Sequence, residues 1–327
     1  MRIDHETISV EATVPAARLK TAHAIRLSLR SARFCCISGF TLAELLVSVG
    51  VLVILVLLCA QLLNNAASIT TRGHKQMDAD SQARQLLDRM AIDFAQLMKR
   101  SDLDFFGKGT TAPNSAGGVM TGNDLITFHS AVPGYYPPGA TSGSQSPLSL
   151  VAYRVNSSSS SSSYNKMERM GKGLLWNGAS ASSTPVVFWT TITSQWPAAT
   201  SSSLADPDGN YEIVGPQVFR FEYCYLRING GIAIAPPLDG NGRADVSQIA
   251  AIVADIAVID PKSKVLLSNA QIASLAGLLA DYAATMVPGQ LHNNWQNTLN
   301  ANTTLPRPAV SSVRLYERFF YLSPPTL

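Results

Sequence analysis

The sequence predicts an α+β protein in which a long amino-terminal helix, apolar in its first part, precedes a mainly antiparallel β domain. Three observations predict this class. Residues 40–60 form an apolar run, helical spacing of apolar residues continues to about residue 100, and short β-branched or aromatic runs bounded by Gly, Pro and Ser follow. A long helix followed by strands with one helical insertion is typical of the α+β class.

The apolar run over residues 40–60 reads FTLAELLVSVGVLVILVLLCA, and its single charge is Glu44. About 20 helical residues at about 1.5 Å each cross a hydrocarbon core of about 30 Å. A buried helix of a soluble protein is the alternative, but the run contains no Lys or Arg. The sequence therefore predicts a transmembrane helix over residues 40–60.

Residues 1–39 form a basic leader before this run. Its central part, residues 18–33, has five basic residues and no acid. By the positive-inside rule this side stays in the cytoplasm and the rest of the chain faces outward. A cleavable secretory signal is the alternative, but the apolar run is too long for its core and AQLLNNAAS after Cys59 is a weak cleavage region. We expect a single-pass protein of the inner membrane with a large extracytoplasmic domain.

The leader carries the net charge of the chain. It holds six of the 25 basic and three of the 22 acidic residues, which leaves 25 − 6 = 19 basic and 22 − 3 = 19 acidic residues beyond it. A neutral chain gives no reason to expect a nucleic-acid partner. The four cysteines, Cys35, Cys36, Cys59 and Cys224, place one thiol in the outer compartment and predict no disulfide framework.

The junction of leader and apolar run reads SGFTLAELL, with Gly39, Phe40 and Glu44 at fixed spacing. A carboxylate in a membrane segment costs about 2.5–3.5 kcal/mol, which indicates a functional partner. This order of residues resembles the type IV prepilin signature. The resemblance implies cleavage after Gly39 by a prepilin peptidase, N-methylation of Phe40, and pairing of Glu44 with the terminal ammonium of a neighbouring subunit. A Glu that reaches the lipid head groups is the alternative. The leader is longer than the short ones common in that class.

Helical spacing continues over residues 61–100 as an amphipathic segment. The residues Leu87, Met90, Phe94, Leu97 and Met98 fall on one face, and Gly73 is a candidate kink or break. No long heptad repeat is present, so this stripe predicts packing on the domain rather than a coiled coil. The domain is then predicted over residues 101–327.

The domain contains six predicted strands and one capped helix. The strands are 124–130, 148–155, 186–192, 218–226, 249–259 and 313–322, and the helix is 268–286. The strand 218–226 alternates, with Arg220 and Glu222 on the face opposite its aromatic residues. The serine-rich segment 156–163 is predicted to be a flexible surface loop.

The order of these elements resembles the J-type minor pseudopilins of type II secretion systems in outline. Several stretches along the chain carry a closer resemblance, to the Verru_Chthon cassette protein C group. They read LLDRMAIDFAQLMKRSDLDFF, VPGYY, ERMGKGLLWNG, VGPQVFRFEYCYL, AVIDPKSKVLL and VRLYERFFYL. The resemblance implies a pilin-like fold and partners that are other pilin-like subunits and the inner-membrane lipid. The activity of the cassette group is not established, so it names no task.

The sequence contains no recognisable catalytic constellation, and we expect no enzyme and no cofactor. The five histidines have no metal-ligand spacing, and the two Gly-Lys-Gly triplets, 107–109 and 171–173, are interpreted as turns. The acidic loops 206–210 and 239–245 are interpreted as Asp/Gly turns, with calcium binding as the alternative for the second.

The sequence thus predicts a minor pilin or pseudopilin that is assembled through its amino-terminal helix into an envelope filament or a secretion-type complex. A single-pass protein whose helix anchors a ligand-binding domain is the alternative. Replacement of Glu44 separates them, because assembly needs this carboxylate and a simple anchor does not.

Overall fold

The computed structural model describes residues 41–99, 122–136, 141–175, 211–240 and 245–322. The chain divides into two compact units, Met1–Gln61 and Leu62–Leu327, which are described separately. Helices and antiparallel sheets are both present, so the predicted α+β class is confirmed. Gly39, Phe40 and the predicted strand 186–192 lie outside the described residues.

The described residues form five helices and eight strands. The helices are α1 (Leu42–Ala95), α2 (Pro261–Lys264), α3 (Asn269–Leu278), α4 (Gln290–Ala301) and α5 (Arg307–Val310). The strands are β1 (Ile126–Ser130), β2 (Gln145–Val155), β3 (Met167–Leu175), β4 (Tyr211–Gly215), β5 (Val218–Arg227), β6 (Ile232–Ala233), β7 (Ile249–Val258) and β8 (Arg314–Tyr321).

The long helix α1 belongs to both units, with its residues up to Gln61 in the first unit. The apolar side chains of the first unit are exposed around the helix, and α1 is long and apolar enough to cross a membrane. In the second unit, α1 continues through Gly73, so this glycine does not break the helix. The helix ends at Ala95, a few residues before the predicted end near residue 100.

In the second unit, one face of α1 packs in the main hydrophobic core. Its buried apolar residues are Ala79, Ala83, Leu86, Leu87, Met90 and Phe94. The ring of Phe94 lies 4.8 Å from that of Phe128 in β1 and 4.9 Å from that of Phe320 in β8. The last turns of α1 therefore contact both sheets, and the predicted packing of the amphipathic stripe on the domain is confirmed.

The strands form two four-stranded antiparallel sheets with the orders β1-β2-β3-β4 and β6-β5-β7-β8. One face of the second sheet contacts α1, where Arg318 reaches Asp88. Its other face is covered by the segment that contains α3 and α4. There the backbone of Tyr282 reaches Glu222 and the backbone of Gly289 reaches Glu317.

Five of the six predicted strands are confirmed as β1, β2, β5, β7 and β8, with small shifts at their ends. Strands β3, β4 and β6 and helices α2, α4 and α5 were not predicted. The predicted helix 268–286 begins as expected, with a capping box between Ser268 and Gln271, but it ends at Leu278. The carbonyl of Leu279 instead accepts a hydrogen bond from the Arg220 guanidinium at 2.9 Å.

The interpretation of Gly171-Lys172-Gly173 as a turn is wrong, because these residues lie within β3. A neighbouring segment approaches this strand closely: the amide of Tyr135 donates to the carbonyl of Gly171 at 2.7 Å, and the amide of Gly173 donates to the carbonyl of Tyr135 at 2.8 Å. A Cβ on Gly173 would lie 2.6 Å from the ring of Tyr136. The glycines therefore allow close backbone approach within a sheet.

The serine-rich segment connects β2 to β3 and is hydrogen-bonded at its base. The side-chain amide of Asn156 donates to Ser163 Oγ and to Glu168 Oε1, both at 2.9 Å. Ser163 is buried, whereas Ser159 and Ser160 are exposed at the tip. Only the tip of the predicted surface loop is therefore fully at the surface.

Candidate functional site

The first candidate site is the start of α1, where Glu44 and Thr41 form a reciprocal pair. The amide and the hydroxyl of Thr41 both donate to Glu44 Oε2 at 3.0 Å, and the amide of Glu44 donates to Thr41 Oγ1 at 3.3 Å. This is a capping box, in which the first and fourth residues satisfy each other's backbone amides. Glu44 therefore stabilises the beginning of its own helix.

The capping box leaves part of the carboxylate unused. Glu44 Oε1 has no hydrogen-bond partner among the described residues of its unit, and the side chain is fully exposed. Ala43, Val47 and Ser48 line a shallow apolar hollow beside it. The site thus presents one negatively charged oxygen on an otherwise apolar helix surface. Of the three predicted site residues, Glu44 alone is described.

The sequence signal for this cap is Thr41-Leu-Ala-Glu44, the pattern Ser/Thr-x-x-Glu before an apolar run. Sequence reasoning assigned the carboxylate to assembly and missed its second role. The two roles are compatible, because a carboxylate accepts several hydrogen bonds and one oxygen already satisfies the cap.

A buried ionic cluster joins α1 to the first sheet. The Arg169 guanidinium in β3 donates to both oxygens of Asp93 in α1, with Nε at 2.6 Å from Oδ2 and Nη2 at 3.1 Å from Oδ1. The Tyr153 hydroxyl donates to the same Oδ2 at 2.5 Å. Burial, followed by the charge of Asp93, raises the pKa of Tyr153 well above its ordinary value. The cluster fixes this helix turn against β2 and β3.

A second buried ionic cluster lies between the second sheet and its covering segment. Arg220 is fully buried and contacts Glu222 at 3.1 Å and Asp281 at 2.5 Å. Its guanidinium carbon lies 5.5 Å from the ring of the fully buried Trp295. The predicted alternation of β5 is confirmed, but both of its faces are buried. Sequence reasoning did not predict that Arg169 pairs with α1. It also did not predict that Arg220 pairs with the segment that contains α3 and α4.

Among the described residues of the second unit, two cavities bear on function. The first, which we call the basic groove, has a volume of about 490 Å³. Its lining consists of Ala67, Ser68, Thr71, Arg72, Lys75 and Gln76 of α1, Asp260, and Pro308, Ser311, Ser312 and Arg314. The second, the arginine–tyrosine cleft, has a volume of about 540 Å³ and is lined by Arg89, Arg169, Tyr135, Tyr211 and neighbouring residues. Both guanidinium groups of this cleft lie beside the carboxylate of Asp93. Arg89 Nε is 3.7 Å from Asp93 Oδ1.

The described residues contain no group of three or more Asp, Glu, His or Cys side chains that could hold a metal ion. The acidic loop 206–210 and most of the loop 239–245 lie outside the described residues. Asp245 accepts hydrogen bonds from the amide of Ser247 at 3.1 Å and from the side chain of Gln248 at 2.8 Å, as a turn residue does. His129 is buried in β1, and burial lowers its pKa to about 4.

In comparisons with protein-family models and with curated proteins, the chain has no match.

Proposed function

We propose that the chain is a prepilin-like minor pilin or pseudopilin subunit. In this proposal a prepilin peptidase cuts after Gly39, Phe40 becomes the N-methylated amino terminus, and the helix from Phe40 assembles with other pilin-like subunits into an envelope filament or a secretion-type complex. The precursor is a single-pass protein of the inner membrane, with its amino terminus in the cytoplasm and its large domain outside.

The observation that carries the proposal is the single acidic residue, Glu44, at the start of an exposed apolar helix. An ionised carboxylate in lipid is costly unless a partner or water stabilises it. The capping hydrogen bonds from Thr41 satisfy Oε2 but supply no positive charge. A terminal ammonium at Phe40 of a neighbouring subunit would supply that charge to Oε1.

The amphipathic part of α1 supports the same proposal. A minor subunit needs its outer domain attached to the continuation of its assembly helix. The buried pair of Asp93 and Arg169, together with the ring contacts of Phe94, fixes α1 within the second unit.

The proposal is tested by purifying the native protein in a mild detergent and identifying the co-purifying proteins by mass spectrometry. Other proteins with a Gly-Phe-x-x-x-Glu junction before an apolar helix should be recovered in fixed ratio. Recovery of the chain without any such partner, under conditions that preserve a known filament complex, would contradict it.

A membrane-anchored binding protein is the second candidate, and the basic groove is the observation that favours it. In that case the helix over residues 40–60 only anchors the domain. Replacement of Glu44 by Leu would leave such a protein active, because an uncharged apolar residue is a better anchor than a carboxylate.

A further inference from the structure

The basic groove gathers positive charge at one place on the second unit. Arg72 and Lys75 come from α1, and Arg314 comes from the start of β8. Among the described residues, Asp260 is the one acidic residue that lines it, so the charged lining residues sum to +3 − 1 = +2. A cavity of about 490 Å³ lies within the range of about 300–1,000 Å³ typical of small-molecule sites.

The ammonium of Lys75 contacts two side chains of the domain, those of Ser263 and Asp260. Its ammonium donates to Ser263 Oγ at 3.2 Å and lies 3.9 Å from Asp260 Oδ1. Asp260 is buried, and the same Oδ1 accepts from the amides of Lys262 and Ser263 at the start of α2. One oxygen of Asp260, Oδ1, is therefore used as a helix cap and as a support for Lys75, while its buried Oδ2 accepts no hydrogen bond from the described residues.

The other two cations have no hydrogen-bonded or ion-pair partner among the described residues. Arg72 is exposed on α1, and Arg314 is partly exposed at the start of β8. The hydroxyls of the groove add few donors, because those of Ser68, Thr71 and Ser312 already donate to backbone carbonyls. The donors left to a ligand are therefore the two guanidinium groups, the Lys75 ammonium and the amide of Gln76.

We propose that the basic groove binds a phosphate monoester. A monoester carries a charge of about −1.5 to −2 near neutral pH, which matches the charge of the groove, and its oxygens accept several hydrogen bonds at once. Guanidinium groups bind phosphate in two-pronged geometry, and Lys75 binds it as a point charge. The size of the cavity favours a head group or a small metabolite over an acidic segment of a protein.

Two sources supply this chemistry. Ala67, at one end of the groove, follows Ala60 by seven residues in the sequence, so the head group of an anionic lipid such as phosphatidic acid is one source. A water-soluble ester such as glycerol 3-phosphate is the other. This inference does not depend on the proposed assembly function.

The test uses the full chain, first in mild non-ionic detergent with glycerol 3-phosphate as the titrant and then in lipid nanodiscs. Arg72→Gln and Arg314→Gln should each weaken binding about tenfold or more, because each removes a charge-assisted hydrogen bond. Arg84→Gln is the matched control, since Arg84 is exposed on α1 but does not line the groove. It should bind like the unchanged chain.

The nanodisc arm compares discs that contain phosphatidic acid with discs of phosphatidylcholine alone, with native mass spectrometry as the readout. If the unchanged chain retains phosphatidic acid and Arg72→Gln does not, the source is the lipid. If the chain binds glycerol 3-phosphate but retains no phosphatidic acid, the source is the soluble ester. Absence of both, or equal loss in Arg84→Gln, would overturn the proposal. If neither ester binds but Arg72→Gln still blocks assembly, the groove belongs to a protein partner and the proposal is wrong.

Discussion

Asp93 and Arg169 form a buried two-pronged ion pair that joins the last turn of α1 to the first half of β3. Both oxygens of Asp93 accept from the guanidinium, and the two side chains are 0% and 4% exposed. Removal of one member would leave the other as a buried charge, which costs far more than the pair contributes. The pair is therefore the most sensitive connection between the helix and the domain.

Asp93→Ala should lower the free energy of unfolding of the domain by about 3–5 kcal/mol, because Arg169 then stays buried with only the exposed Glu212 nearby. Chemical denaturation of the full chain in detergent, followed by tryptophan fluorescence, measures this change. Asp88→Ala is the matched control on the same helix, since its pair with Arg318 is partly exposed and should contribute less than about 1 kcal/mol. Equal losses in the two variants would contradict the account.

Glu44→Gln should reduce incorporation into the complex about tenfold or more while the precursor is still processed. The Gln oxygen can still accept from Thr41, so the cap is kept and only the charge is lost. Quantitative mass spectrometry of the purified complex measures the ratio of this subunit to its partners.

Thr41→Ala tests the cap independently of the charge, because it changes the capping residue and leaves the Glu44 carboxylate in place. It removes the hydroxyl of the capping box, which costs about 1 kcal/mol, but keeps the carboxylate. Its incorporation should therefore be close to normal. If Thr41→Ala fails while Glu44→Gln is incorporated normally, the carboxylate acts only as a cap and the pairing model is wrong.

Gly39→Leu should leave a full-length precursor in the membrane, because a side chain at this position obstructs the approach of the peptidase to the peptide bond. Cleavage after Gly39 removes residues 1–39, so the processed chain should be shorter than the precursor by at least these 39 residues. The difference is visible on a gel. Ser38→Ala, which changes the adjacent residue without adding bulk, should be processed normally, and normal processing of Gly39→Leu would exclude this cleavage site.

His129→Gln should make the stability of the domain less sensitive to acid. Burial lowers the pKa of His129 to about 4, whereas an unfolded His has a pKa of about 6.5. Between these two pH values the unfolded chain binds more protons than the folded chain. The contribution of neutral His129 to the free energy of unfolding is therefore lost as the pH falls from about 6.5 to 4. From pH 7 to pH 5 this loss is about 2 kcal/mol. Denaturation curves of both proteins at the two pH values measure it, and an identical pH dependence would contradict the assignment.

The local features of the fold were accessible from the sequence. The apolar run, the stripe on α1 and five strands follow from short-range periodicity, and the cap at Ser268 follows from a four-residue pattern. The end of α3 at Leu278 was not accessible, because the next carbonyl bonds to Arg220, about sixty residues earlier in the chain.

The buried charges were missed for the same reason. Arg220 and Glu222 alternate with aromatic residues as the solvent face of a strand does, and only the covering insertion buries them. Gly171-Lys172-Gly173 has the composition of a turn, and the approach of Tyr135 and Tyr136 explains the glycines within β3. At the candidate site, sequence reasoning identified Glu44 but not its partner Thr41. The Thr41-Leu-Ala-Glu44 capping pattern was present, but Glu44 was assigned only to assembly.

The most direct test of the central claim is the intact mass of the native mature chain together with the sequence of its amino-terminal peptide. The account predicts a chain of residues 40–327 that begins with N-methylated Phe40 and retains Glu44 as its fifth residue. A mature chain that retains residues 1–39, or one that begins downstream of the apolar run over residues 40–60, would contradict it.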